Sequence, residues 1–129
     1  MTYKEVSQFI RAVSGFHDGF IKQISIYSDD WFDWRSPNDV GHIITGNLHA
    51  EIHFAQHPTL LKGTTWPAVQ RYIFRQVEDV MLDFRGIQGE RWPLFDVRIQ
   101  KYGQGRMRLE CSWEQGAYRQ LFTFATMET

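Results

Sequence analysis

The stretch from residue 95 to residue 113 reads FDVRIQKYGQGRMRLECSW, and its pattern gives the clearest indication of a β-sheet in the chain. Apolar and polar residues alternate on both sides of Gly103-Gln104-Gly105, which is the pattern of two half-buried strands joined by a glycine turn. A further turn at residues 114–116 precedes a third strand-like run from Tyr118 to Ala125. The C-terminal third therefore predicts three sequential antiparallel strands, a meander.

Residues 40–54 predict another strand, and its clearest part is the alternating run LHAEIHF at residues 48–54. Its apolar positions are Leu48, Ala50, Ile52 and Phe54, and its polar positions are His49, Glu51 and His53. A helix is the alternative, because His49, His53 and His57 recur every fourth residue and Asn47 could act as an N-cap. The strand is favoured because every position of the run fits the alternation.

The N-terminal residues 2–14 carry the clearest helix signal. The apolar residues that recur at helical spacing are Val6, Phe9, Ile10 and Val13. Thr2 and Glu5 have the spacing of a capping box, in which each side chain accepts a backbone N–H that the first turn leaves unpaired, and Gly15 suits the C-terminal turn. The run from Phe20 to Tyr27 then predicts a strand, because it is rich in isoleucine and aromatic residues.

Residues 69–85 fit two structures. One is a helix that stops at Gly86, and the other is a pair of strands joined at Gln76-Val77-Glu78. The local clusters are β-branched or aromatic, which favours the two strands, although both remain open at this point.

Together these elements predict a single α+β domain over residues 1–129. The N-terminal helix packs on one strongly curved, mostly antiparallel sheet of about six or seven strands, with a partly closed barrel as the open alternative. Hydrophobic residues make up 43% of the chain. That proportion is sufficient for one core in a domain of this size.

Charge and cysteine content exclude several classes of function. The net charge is −1, so no global field attracts nucleic acid or an anionic membrane. Arg98, Arg106 and Arg108 share a polar face, but acidic neighbours interrupt it, and we do not expect nucleic-acid binding. The single cysteine, Cys111, lies on the apolar phase of its strand and is expected to be an inert core thiol. No secretory or membrane-spanning segment is apparent, so we expect a cytoplasmic protein with no membrane partner.

Residues 28–39, SDDWFDWRSPND, have the turn-forming composition of a polar loop, and the acidic segment DDWFDWR at residues 29–35 within it is the first candidate site. Aromatic residues form 16% of the chain, and the large side chains in this segment have no strand or helix phase to explain them. Tryptophan is typical of protein interfaces, and an acidic surround would attract a basic partner. The alternative is that Trp31 and Trp34 form a lid over the core. The predicted binding residues are Asp29, Asp30, Trp31, Phe32, Asp33 and Trp34.

Two histidine groups are further candidates. His17 and Asp18 are adjacent in a predicted turn, where the carboxylate could orient the histidine as a general base or could simply stabilise the turn. His49, Glu51 and His53 project from one face of the predicted strand, close enough to converge on a zinc ion, although a solvent-exposed polar stripe, which is favoured, explains them without any ion. We therefore expect no cofactor, with zinc at this stripe as the alternative, and we predict no catalytic residues.

Phe16-His17-Asp18-Gly19, followed by Ile21, Ile24 and Ile26, resembles an early motif of small bacterial proteins. That group includes proposed immunity proteins of polymorphic toxin systems. The resemblance covers about a dozen residues and implies a role in binding and neutralising a toxin domain. The leading hypothesis is thus a small, non-enzymatic protein-binding module. The alternative is a β-rich protein that binds a metal or small ligand through its His/Glu stripe.

Overall fold

A computed structural model describes residues 1–33, 41–56, 69–84, 94–113 and 119–129. Helix α1 spans Tyr3–Ala12, and a short 3₁₀ turn follows at Ser14–Phe16. The strands are β1 (Phe20–Ser28), β2 (Trp31–Asp33), β3 (His42–Ile44), β4 (Leu48–Ala55), β5 (Val69–Arg75), β6 (Glu78–Leu82), β7 (Leu94–Tyr102), β8 (Arg106–Trp113), β9 (Arg119–Phe124) and β10 (Thr126–Glu128).

Helix α1 begins as the sequence predicts. The Glu5 N–H donates to the Thr2 hydroxyl at 3.3 Å, and the Thr2 N–H donates to the Glu5 carboxylate at 2.7 Å, so the capping box is complete. The Thr2 N–H also holds the pKa of Glu5 below its usual value. Val6 and Ile10 are buried, whereas Phe9 is partly exposed and contacts the Tyr72 ring edge-on. The helix therefore covers the core with one face only.

The strand predictions are confirmed in three places. The meander forms as β7, β8 and β9, with β8 paired on both sides, although residues 114–118 lie outside the described part. Residues 48–54 lie in β4, with Ala50, Ile52 and Phe54 buried. Residues 69–85 contain two strands rather than one helix, and they separate at Gln76, whose φ is 56°.

The prediction of one sheet is wrong. The described strands form a four-stranded sheet in the order β1-β4-β5-β10, a second four-stranded sheet in the order β6-β9-β8-β7, and a two-stranded pair β2-β3. All pairs among the described strands are antiparallel, and these strands do not close into a barrel. The chain leaves the first sheet after β5 and returns to it at Ala125, whose N–H donates to the Arg75 carbonyl. Because the chain crosses between the sheets at these two points, the strands form two sheets, whereas alternation alone predicts one.

Aromatic side chains join the two four-stranded sheets. The Phe74 ring lies 5.2 Å from the Phe122 ring and 5.0 Å from the Phe124 ring, centre to centre, and all three are fully buried. Phe16 stacks on Phe54 at 4.4 Å beneath the start of β1. One continuous apolar cluster therefore serves the helix and both sheets.

Strands β2 and β3 extend the β1–β4 hairpin away from the rest of the sheet. Ser28 pairs with Leu48, the Asp29 N–H donates to the Asn47 carbonyl, and the pairing resumes at Trp31 and Ile44. Strand β5 pairs with β4 only from His49 onward. The β2–β3 pair, which we call the arm, thus has no third strand beside it in the described part of the chain.

Candidate functional site

The arm presents large apolar side chains on both of its faces. Trp31 lies opposite Ile44, and Phe32 lies opposite Ile43. Opposed residues share a face and neighbours alternate, so each face carries one of these pairs. Trp31 is 56% exposed, Phe32 53% and Ile43 70%, and Ile44 is also exposed. This is an unusual concentration of apolar surface for a short two-stranded element.

This geometry changes the prediction for residues 28–39, which the sequence indicates to be a polar loop. Trp31, Phe32 and Asp33 instead form strand β2. Trp31 is exposed and does not cover the core, so it does not form the lid. Trp34 and Arg35 lie outside the described residues, as does the side chain of Asp33. Sequence reasoning missed Ile43 and Ile44, which only the pairing with β2 brings beside the tryptophan.

His49 and Asp29 fasten the base of the arm. The His49 ring is buried, and its Nε2 lies 2.6 Å from Asp29 Oδ2. The Gln76 backbone N–H donates to His49 Nδ1 at 3.3 Å. Because Nδ1 accepts this bond, the proton of the neutral ring lies on Nε2 and is donated to Asp29. Both ring nitrogens are therefore occupied within the protein.

Asp30 and Gly46 form a second fastening at the same level. The Gly46 N–H donates to Asp30 Oδ1 at 2.6 Å. A Cβ atom at Gly46 would lie 2.6 Å from Asp29 Cβ and 2.8 Å from the Asp29 carbonyl carbon, so only glycine fits without a shift of the chain. Two of the predicted binding acids thus hold the arm in place, and both remain exposed at the surface.

A charged cluster lies beside this base. Arg75 donates to both Glu128 carboxylate oxygens, at 3.2 and 3.1 Å, and to the Tyr27 hydroxyl at 3.4 Å. The bonds from Arg75 lower the pKa of Glu128. The Tyr27 ring lies 5.4 Å from the His49 ring. The base of the arm is consequently tied to β5 and β10 as well as to β4.

The His/Glu stripe does not converge on a common point. His53 Nε2 lies 3.0 Å from Glu51, and Arg71 Nε donates to the other Glu51 oxygen at 2.6 Å. The hydrogen bond from His53, and to a smaller extent the one from Arg71, lowers the pKa of Glu51. His49 points instead to Asp29. Across the described ranges, no group of three or more His, Cys, Asp or Glu side chains is placed to hold a metal ion.

The Phe16-His17-Asp18-Gly19 motif connects the start of β1 to β7 through backbone hydrogen bonds. Phe16 is fully buried, and the Asp18 N–H donates to the Leu94 carbonyl at 2.9 Å. The Leu94 N–H in turn donates to the Gly19 carbonyl at 2.8 Å. These bonds tie the start of β1 to β7.

The two polar members of this motif lie at the surface. His17 Nε2 lies 3.6 Å from Asp18 Oδ2, and about half of the His17 side chain is exposed. A cleft of about 390 Å³ lies nearby between α1 and β7, and Asp96 and Gly15 line it. Neither His17 nor Asp18 is among its lining residues. The pair is therefore not part of that cleft.

Three arginines of the C-terminal meander are paired with acidic side chains. Arg98 pairs with Asp96 at 3.1 Å, Arg108 with Glu110 at 3.7 Å and Arg106 with Glu78 at 3.8 Å. Such alternation of sign does not form a continuous basic surface for phosphates. Cys111 is fully buried, and burial raises the pKa of its thiol. It is thus the inert core thiol that its strand phase predicts.

Comparisons with known proteins assign no family. No protein-family model, curated protein or solved structure gives a significant match to this chain. Within the described residues, no helix is long and apolar enough to cross a membrane. The arm and the hydrogen bonds at its base are therefore the candidate functional site.

Proposed function

We propose that this chain is a non-enzymatic protein-binding module and that the arm is its contact surface. The observation that carries the proposal is the exposure of Trp31, Phe32, Ile43 and Ile44 on an element with no third strand beside it among the described residues. Fully burying one such side chain contributes about 1.5–3 kcal/mol. A partner that covers the arm would gain several such contributions at once.

The fastening of the arm supports the same proposal. Binding is less favourable when a flexible element must be ordered on contact. The bonds from His49 to Asp29 and from Gly46 to Asp30 order the base of the arm before any partner arrives. The exposed carboxylates of Asp29 and Asp30 would favour a partner with basic residues around an apolar cleft.

The absence of catalytic residues is part of the proposal. His49 uses both ring nitrogens inside the protein, and His17 is exposed beside Asp18. His49 therefore lacks the free nitrogen that a general base needs near a bound substrate, and we assign no catalytic role to His17. The finer proposal is that the partner is a toxin domain that this chain neutralises. That step rests on the resemblance carried by Phe16-His17-Asp18-Gly19.

The first experiment tests the arm as a binding surface. Tagged wild-type protein and the variants Trp31→Ala and Ile43→Ala are used to capture partners from a lysate of the source cells. A recovered protein is then purified, and its Kd is measured by calorimetry. We expect each variant to weaken binding at least about tenfold, as truncation of an interface anchor does. Val80→Ala, an exposed apolar residue on β6, is the matched control and should leave the Kd unchanged.

The second experiment tests neutralisation. The captured protein is expressed alone and together with this chain, and cell growth is followed. Growth arrest that the wild type relieves and Ile43→Ala does not would support the toxin proposal. Equal affinity of wild type and both arm variants for the purified partner would refute the arm as the contact surface. A captured partner that has no effect on growth would refute neutralisation and leave the binding module standing.

A further inference from the structure

The two four-stranded sheets have four edges among the described residues, and three of these are protected. Strand β10 is only three residues long and pairs with β5 only at residues 73–75, and the part of β5 that it leaves uncovered carries Arg71. Strand β6 carries Glu78 and Asp79 and contains an irregularity in its pairing with β9. Strand β7 packs against α1 and carries Arg98 and Lys101. Short length, charge, bulges and coverage by a helix are the usual means by which a monomer prevents another strand from adding to its sheet.

Strand β1 is the fourth edge, and most of it lacks these protections in the part of the chain that the structure describes. It is nine residues long, and its pairing with β4 is irregular only between Ile21 and Gln23, at Lys22. The rest of the strand, from Gln23 to Ser28, contains no charged residue and no proline. None of its residues is fully buried, and both Ile26 and Tyr27 are exposed.

The apolar side chains of β1 lie on the core side of the sheet. Ile24 pairs with Ile52 and Ile26 pairs with Ala50, and both partners are fully buried. Because opposed residues share a face, Ile24 and Ile26 extend the buried layer to the edge. They remain partly exposed there, so the layer ends in apolar surface that a further strand would cover.

We propose that this edge pairs with the β1 edge of a second copy of the chain, antiparallel and centred on Ser25. A two-fold axis perpendicular to the sheet keeps both core faces on one side, so it pairs only residues of the same face. When the axis passes through the Ser25 pair, Ile24 of each copy lies opposite Ile26 of the other copy. A centre at Ile24 would place Ile26 opposite Lys22, and a centre at Ile26 would place Ile24 opposite Ser28.

The charge of the edge agrees with a second copy as the occupant. The two segments from Gln23 to Ser28 are uncharged, so they approach without repulsion. In the proposed register Lys22 lies opposite Ser28 of the second copy, not opposite another Lys22. The net charge of the chain is only −1, which does little to keep two copies apart. This inference does not depend on the arm.

Sedimentation velocity over micromolar concentrations tests the association. We expect the wild type to sediment as a dimer at the upper end and Ile26→Lys to remain a monomer, because an edge lysine opposes pairing. Ile43→Lys makes the same change at an exposed isoleucine on the arm and should dimerise like the wild type. Circular dichroism checks that each variant is folded. A monomeric wild type at every concentration would overturn the proposal.

A cysteine pair tests the register and does not rely on Ile26→Lys being folded. Ser25 opposes itself across the proposed axis, whereas Ser28 does not, and Cys111 is buried. Directly opposed residues of antiparallel strands are close enough for a disulfide. Ser25→Cys should therefore form a covalent dimer under mild oxidation much faster than Ser28→Cys. Equal rates for the two variants would refute the register. If Ile26→Lys is monomeric but still binds the partner of the arm, then dimerisation and arm binding are independent properties.

Discussion

The hydrogen bond between His49 and Asp29 is expected to stabilise the protein measurably. A hydrogen bond to a charged group contributes about 1.5–3 kcal/mol when it is shielded from water. The His49 side chain is 5% exposed, but the Asp29 side chain is 56% exposed, so water replaces part of the bond when His49 is removed. We therefore expect a coupling energy of about 1–2 kcal/mol between the two side chains.

A double-mutant cycle measures this coupling. The free energies of unfolding of the wild type, His49→Ala, Asp29→Ala and the double variant are obtained from urea titrations followed by circular dichroism. The matched control is the same cycle on His53 and Glu51, which lie on the same strand. Its coupling should be smaller, because the bond is longer at 3.0 Å and Arg71 keeps Glu51 paired when His53 is lost.

Two results would refute this reasoning. A His49–Asp29 coupling below about 0.5 kcal/mol would place the pair with ordinary exposed ion pairs. A coupling no larger than that of His53 and Glu51 would mean that burial of the His49 ring adds nothing. Either result would mean that the His49–Asp29 hydrogen bond does not hold the arm in an ordered position.

Three further predictions concern single residues. Gln120→Leu should cost about 1–3 kcal/mol in urea unfolding, because the buried indole N–H of Trp113 loses its acceptor at 2.7 Å. Burial raises the pKa of Tyr72 to about 12. The contribution of the neutral Tyr72 phenol to the free energy of unfolding is therefore complete below about pH 10 and is lost as pH rises toward 12. Ultraviolet titration of the wild type and Tyr72→Phe would reveal the raised pKa of this phenol. Gly46→Ala should destabilise by about 1–3 kcal/mol, and Gly103→Ala, with open space around it, by less than about 0.5 kcal/mol.

Local structure was predictable wherever neighbouring residues decide it. The Thr2–Glu5 capping box is complete within four residues, and so its pattern identifies the start of α1. The alternation in residues 48–54 identifies β4 and its buried face, because side chains alternate along any strand. The polar face of β4 was also predicted, but not that His49 would turn to Asp29 while Glu51 and His53 pair with each other.

The arm is the clearest case of what local patterns miss. The acidic and turn-forming residues around Trp31 indicate a loop, and Ile43 belongs to a run that predicts a strand. Neither pattern reveals that the two segments pair with each other and expose both side chains. The Trp31 and Phe32 signal was thus visible in the sequence, while the contribution of Ile43 depended on cross-strand register.

Local patterns in the sequence specify the α+β class, the N-terminal helix, the meander and several strands, because capping and alternation act between residues close in the chain. The division of the strands between two four-stranded sheets, the position of the arm beyond β5 and the edge position of β1 depend on contacts between distant parts of the chain. The chain crosses between the two sheets at Gln76 and Ala125. Aromatic residues far apart in the chain, including Phe74 and Phe122, pack between these sheets, and no local pattern encodes such contacts.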